Sequence, residues 1–281
     1  MRNLYRKLLS NRKGLVDISL EVCSLASGSS GNSIYIASAK KKLLIDAGLS
    51  GKKISNRLAQ INIEGSQLDA ILITHEHQDH IKGAGVLSRR FDLPIYATEK
   101  TWAVAEQKLG KITAENRCVM NKAGLEIGDI GIDCFSLPHD AEDPVGYALH
   151  SQGRKVAIAT DIGCMTQELL GNLAEAELVI LEANHDLEML KTGPYPWSLK
   201  RRIMSEQGHL CNDEAGATAV ELVKNSVQRI LLAHLSKDNN VPELAYLTIK
   251  NMLVDAGIDL DVDLKLDFIY RNQVSELFQV V

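Results

Sequence analysis

The sequence predicts a layered α/β protein, an αβ/βα four-layer sandwich in which two mixed β-sheets pack face to face with helices on their outer sides. Three observations carry that expectation. Short apolar, β-rich runs alternate with helical patterns along most of the 281 residues. Strands outnumber helices in the first two thirds, and the runs at 130–137, 145–150 and 154–160 follow closely enough to form antiparallel meanders, unlike a strictly alternating βαβ sheet. Polar residues recur at the carboxyl ends of apolar runs, where loops gather and α/β scaffolds build their sites.

Taken in order, strands are expected near 18–25, 33–38, 42–46, 70–73, 94–97, 130–137, 145–150, 154–160, 178–182 and 229–233. Each is a short apolar run bounded by turn residues. Helical patterns fit near 51–61, 80–90, 99–109, 166–172, 195–206, 213–225 and 241–256. The last has Val241 and Pro242 at its start and Gly257 just beyond its end, the usual asymmetry of helix start and stop signals. No repeat, low-complexity tract or linker divides the chain. Residues 1–17 read as a basic N-terminal extension, with Arg2, Arg6, Lys7, Arg12 and Lys13, and 18–281 as one domain.

With 45% hydrophobic and 24% charged residues, the chain can bury one substantial core. No apolar run approaches the roughly 20 residues that span a bilayer, so no membrane insertion is expected. The first thirteen residues lack the apolar stretch and cleavage site of an export signal, which leads to the expectation of a cytoplasmic protein. Five scattered cysteines without a C-x-x-C pair argue against a disulfide framework or a structural zinc knuckle and for buried thiols. A net charge of −5 gives no global field for nucleic acid. A polyanionic substrate must then be held by metal ions and a local patch.

The densest chemical signal is THEHQDH at 74–80, directly after the apolar run AILIT. His75, His77, Asp79 and His80 cannot all share one helix stripe, and strand alternation would send half of them into the core. A tight loop around cations accounts for them, because imidazole nitrogens and carboxylate oxygens suit borderline divalent ions. His139 after DCFSLP, Asp161 after VAIAT and His234 after RILLA repeat the pattern of a polar group at a strand end. Each alone would be an ordinary strand-end residue; beside the dense cluster they read as further ligands.

These residues resemble the metallo-β-lactamase superfamily, whose H-x-H-x-D-H signature is matched by His75, His77, Asp79 and His80. The resemblance runs from about residue 18 to nearly the end. It implies one metal on His75, His77 and His139, a second on Asp79, His80 and His234, and Asp161 bridging them. It also implies that Asp46, in LLIDAG, orients a ligand without binding metal. The implied cofactors are two divalent ions per chain, Zn or Mn, with Fe acceptable to the same donors. A bridging aspartate matches the phosphodiesterase, nuclease and glyoxalase-like branches, whereas true β-lactamases usually carry a cysteine there, so a lactamase is not expected. Only 21 residues separate His139 from Asp161 and 72 separate Asp161 from His234, which leaves no room for a large nuclease insert.

GHLCNDEAG places His209 directly before a helix that Asn212 or Asp213 would cap. The segment is similar to one in ribonuclease Z whose histidine acts near the scissile phosphate, and AELVILEAN resembles that family's strand ending in a glutamate. A helix-capping or core histidine is the competing reading of His209. CSLASGSSGNS, LPHDAEDPVGYAL, YPWSLKRRI, GHLCN and AHLSKDNN, in order and spacing, resemble the YycJ/WalJ family of bacterial metallo-β-lactamase-fold proteins. That family is associated with metal-dependent 5′-to-3′ exonuclease action on DNA and a proposed link to mismatch repair. Cys211 stands where its serine is usual.

Small residues of the loop SGSSGNS, Ser30 and Asn32 among them, have backbone N–H groups that suit an anion, though an ordinary turn has the same composition. Lys191, Lys200, Arg201 and Arg202 form a candidate phosphate-tracking patch, with solvated helix charges as the alternative. His150 and His185 read as structural histidines. The resemblance implies a phosphodiesterase acting on DNA, as a single strand or duplex end. Two ions about 3.5–4 Å apart would acidify a bridging water, Asp79 and Asp161 would hold it, and His209 would assist the leaving group. A small-molecule hydrolase acting on a cyclic phosphodiester or a glyoxalase II-like thioester is the alternative on the same centre. A non-enzymatic binding protein ranks last, because all seven ligand positions are filled.

Overall fold

Alternation along the strands decides the architecture. In the computed structural model, which describes residues 19–120 and 124–281, successive side chains of each inner strand enter different apolar layers. The expected extension at 1–17 lies outside the described residues. One sheet has seven strands in the order β14 (Phe278–Val280), β1 (Leu20–Ala26), β2 (Ser33–Ala37), β3 (Lys42–Ile45), β4 (Ala70–Leu72), β5 (Ile95–Ala97), β6 (Arg117–Val119). The other runs β13 (Lys265–Phe268), β12 (Arg229–Ala233), β11 (Leu178–Glu182), β10 (Arg154–Ala159), β9 (Val145–Ser151), β8 (Ile130–Ser136), β7 (Leu125–Ile127).

Both sheets are mixed in the same way. From β14 to β3 the pairing is antiparallel, and from β3 to β6 it is parallel. From β7 to β10 it is antiparallel, which is the expected meander, and from β10 to β13 it is parallel. Leu43 and Ile45 of β3 and Val156 and Ile158 of β10 meet between the sheets. Leu44 faces the other way, toward Ile54 and Leu58 of α1 (Gly51–Gln60), with Leu87 of α3 (Ala84–Phe91) and Trp102 of α4 (Glu99–Leu109) in the same layer. Ala157 and Ala159 face Leu169 of α5 (Gln167–Leu173), Leu222 of α8 (Asn212–Lys224) and Ile249 of α9 (Pro242–Asp255). Three apolar layers separate four structural ones, as the binary pattern requires.

The expected helix at 80–90 is broken into α2 (Gln78–Ile81) and α3. At the break the Gly83 N–H bonds to the Ala47 carbonyl, and a Cβ on Gly83 would stand 2.3 Å from the Leu49 carbonyl oxygen. The segment expected as one helix at 195–206 is helical only in α7 (Trp197–Ile203), preceded by an unexpected short helix, α6 (Leu187–Thr192). Strands β6, β7, β13 and β14 were also not expected. They are three or four residues long and occupy or adjoin sheet edges, where one-sided burial weakens the apolar signal. No helix among the described residues is long and apolar enough to cross a membrane.

Candidate metal centre

Several strands deliver polar residues to one rim. Asp46 follows β3, His75 lies just past β4, His139 past β8, Asp161 past β10 and His234 past β12. Asp46, Asp161 and His234 have φ values of 61°, 65° and 55°, in the left-handed region. That region is uncommon for residues with a side chain, and Asp and His tolerate it better than most. Backbone contacts then hold the histidine loop down: Asn32 N–H donates to the Asp79 carbonyl at 2.8 Å and Gly48 N–H to the Asn32 carbonyl at 2.8 Å. A Cβ at Gly48 would fall 1.6 Å from the Asp79 carbonyl oxygen. Gly48→Ala is therefore expected to displace Asp79 and cost at least about tenfold in activity; a steady-state assay at wild-type activity would contradict this.

Side-chain donors among the described residues converge in four overlapping groups, two of which match the expected ligand sets. His75, His77 and His139 each offer an atom within 4.8 Å of the others, and so do Asp79, His80 and His234. Asp161 reaches both, 3.8 Å from His139 Nε2 and 3.4 Å from His80 Nε2. Three rings are tied by the same nitrogen. His80 Nδ1 lies 2.7 Å from Asp46 Oδ2, His139 Nδ1 3.1 Å from the Gly208 carbonyl, and His234 Nδ1 2.7 Å from Glu182 Oε1. An acceptor at Nδ1 makes that nitrogen the donor and leaves the Nε2 lone pair of His139 and His234 for a metal, while Nε2 of His80 also faces the Asn32 amide nitrogen at 3.0 Å. Asp46 is itself fixed by the Thr74 N–H at 2.9 Å and hydroxyl at 2.8 Å.

Buried His139 Nε2, His234 Nε2 and Asp161 Oδ2 have no hydrogen-bond partner among the described residues. Each such group costs about 1–3 kcal/mol, and a cation between them removes that cost. Charge leads to the same conclusion. Burial opposes a proton on His80, yet the Asp46 and Asp161 carboxylates carry its pKa up to about 10. Burial, reinforced by the charge of His80, holds His75 well below the usual histidine range. Burial alone would raise Asp161, but His234 and His80 hold it well below the usual carboxylate range. This rim calls for positive charge, and its donor set fits divalent ions.

His209 is brought to the same rim. Its Nδ1 lies 2.9 Å from Glu182 Oε1 and 3.7 Å from Asp161 Oδ1, which leaves Nε2 as the nitrogen available to a substrate. Burial disfavours its charged form, but Glu182 carries the pKa up to about 9. Glu182, absent from the expected site residues, joins the parts. It is fully buried at the end of β11. One oxygen faces His209 and His234; the other accepts from the N–H groups of Ile162 at 2.7 Å and Leu210 at 3.1 Å. Four contacts fill its lone pairs, so it orients histidines and is not counted as a ligand. Burial would raise its pKa, and the two histidines pull it down to about 2.

Other expectations need correction. Lys200 is buried, and its ammonium donates to the Lys191 and Gly193 carbonyls at 2.7 Å each, so it is unavailable for phosphate tracking. Asn32 is also buried: its Oδ1 accepts from Gly28 N–H, and its Nδ2 is 3.0 Å from His80 Nε2. It braces the loop and histidine instead of facing solvent. Ser30 and Arg201 are exposed. Arg202 is the cation beside the centre, paired with Asp140, whose Oδ1 is 3.4 Å from His139 Nε2. Cys211, not Asn212 or Asp213, caps α8. His150 pairs with Asp133 at 3.1 Å. His185 is buried, neither ring nitrogen has a hydrogen-bond partner among the described residues, and burial lowers its pKa to about 4.

The model of the beta-lactamase superfamily domain matches residues 41–235. The exodeoxyribonuclease YycJ of Bacillus anthracis is 44% identical over 234 residues, 83% of this chain and 89% of its own. The exodeoxyribonuclease WalJ of Streptococcus pneumoniae serotype 2 is 44% identical over 252 residues, 89% of this chain and 94% of its own. Among solved structures, the metallo-β-lactamase-fold protein YhfI of Bacillus subtilis superposes with a TM-score of 0.68 at 18% identity, covering 92% of this chain and 99% of its own. That likeness concerns the fold.

Proposed function

Given that the chain belongs to the beta-lactamase superfamily and, within it, to the family of the YycJ and WalJ exodeoxyribonucleases, we propose that it is a metal-dependent exonuclease that shortens DNA from the 5′ end. The observation that carries the reading is the pair of donor groups joined by Asp161, with His209 on the same rim. One divalent ion would sit on His75, His77 and His139, another on Asp79, His80 and His234, with Asp161 between them. Bound there, Zn, Mn or Fe would supply Lewis acidity to the phosphoryl oxygens and acidity to water.

The chain's own groups do the rest. Asp46 and Glu182 hold His80 and His234 in one tautomer, and Asp79 and Asp161 orient the attacking water. Water adds its oxygen to phosphorus in line with the P–O3′ bond and passes a proton to the Asp79 carboxylate. The P–O3′ bond breaks, and the departing O3′ takes a proton from His209 Nε2. The products are a nucleotide with a free 3′-hydroxyl and a strand with a new 5′-phosphate. DNA labelled at either end, offered with Mn²⁺ or Zn²⁺ beside cyclic nucleotides and glutathione thioesters, tests the reading. Mononucleotides released first from the 5′ label are expected. Turnover of only a cyclic phosphodiester or a thioester would replace the DNA reading with a small-molecule one.

A further inference from the structure

YPWSLKRRI has no part in holding ions, yet it builds a wall of the cavity beside His209. This cavity is about 190 Å³, and His209, Gly208 and Asp140 are among the residues that line it. Tyr195, Leu199 and Ile203 give it an apolar lining; Asn184, Ser29 and Ser236 supply polar groups. The Tyr195 hydroxyl donates to Asp238 at 2.8 Å, which fixes the ring. Arg202 also lines the space, but its guanidinium is paired with Asp140. The cations that line the cavity already have tasks, His209 at the leaving group and Arg202 paired with Asp140, and three apolar side chains line it beside them. A flat heterocycle suits it better than a phosphate, with apolar faces against Tyr195, Leu199 and Ile203 and hydrogen-bonding edges toward Asn184 and the serines. The volume is below the roughly 300 Å³ at which pockets for drug-sized ligands begin. It admits one base and not a base pair.

We propose that this cavity binds the unpaired base of the 5′-terminal nucleotide, on the leaving-group side of the scissile bond, so that the enzyme acts on single-stranded or frayed 5′ ends. The inference rests on the nuclease reading, because His209 places the cavity next to the departing O3′. Base stacking of this kind contributes about tenfold to hundredfold per base.

The test compares two single strands that differ only at the 5′-terminal nucleotide, one with a base and one with an abasic sugar. The wild-type metal-loaded enzyme is expected to release the first nucleotide at least about tenfold faster, in kcat/KM, when the base is present. Leu199→Trp, which fills the cavity, is expected to bring both strands to the abasic rate, and Tyr195→Ala to narrow the difference. Equal wild-type rates on the two strands would overturn the inference while leaving the nuclease reading intact. So would a preference unchanged in a folded Leu199→Trp enzyme. Failure of the wild-type enzyme to cut either strand would overturn the nuclease reading and this inference with it.

Discussion

Replacing Asp161 with asparagine is expected to lower DNA cleavage by at least about a thousandfold, equivalent to about 4 kcal/mol of transition-state stabilisation, while the fold persists. Asp161 is 2% exposed and reaches both donor groups through its two oxygens. Asparagine keeps the volume but presents an amide where a carboxylate would join two cations. Circular dichroism should match wild type, and bound metal should fall below the wild-type ratio. Asp79→Ala, which removes a less buried donor of the second group, should also abolish cleavage in a folded protein. Wild-type rates in either variant after metal reconstitution would contradict the assignment.

Glu182→Gln should also be damaging, although Glu182 is not counted as a ligand. Its Oε1 receives Nδ1 of both His209 and His234, and an amide cannot accept from both while also accepting from Ile162 and Leu210. One histidine then loses its tautomer. Orienting carboxylates of this kind are worth about 10–100-fold in metal affinity or activity, and two histidines depend on this one, so a loss of about 100-fold in kcat is expected. Competition with a chelator separates this role from simple instability: the variant should surrender metal more readily at unchanged secondary structure. Unchanged metal retention together with unchanged kcat would show that Glu182 is only a structural anchor.

How much of this could be read in advance depended on where each residue's chemistry resides. His75, His77, Asp79 and His80 were legible because four donors lie within six residues, more than any solvated turn needs. Asp161 and His234 were legible as polar ends of apolar strands and Asp46 through the family resemblance, and all three adopt left-handed backbone there. Glu182 ends an apolar strand in the same way, but its significance depends on His209 and His234, 27 and 52 residues away. Local patterning does not report such convergence. Lys200 misled for the opposite reason. Among charged neighbours it reads as solvated, whereas folding turns its stem inward and spends its ammonium on two carbonyls left by α6 and its turn. Asn32 sits in a loop whose composition suits phosphate, but its side chain is engaged by Gly28 and His80. In the fold, the inner strands of both sheets were visible as short apolar runs, and edge strands such as β13, with Asp267 and Lys265 in its four residues, were not.

We propose that two divalent ions held by these seven side chains make the chain a DNA nuclease. The most direct test of this is to strip the protein of metal and follow hydrolysis of a 5′-labelled strand as Mn²⁺ is returned in measured equivalents. Activity should be absent without metal and rise to a plateau near two ions per chain. Full cleavage by metal-free protein, or a plateau reached with one ion, would contradict it.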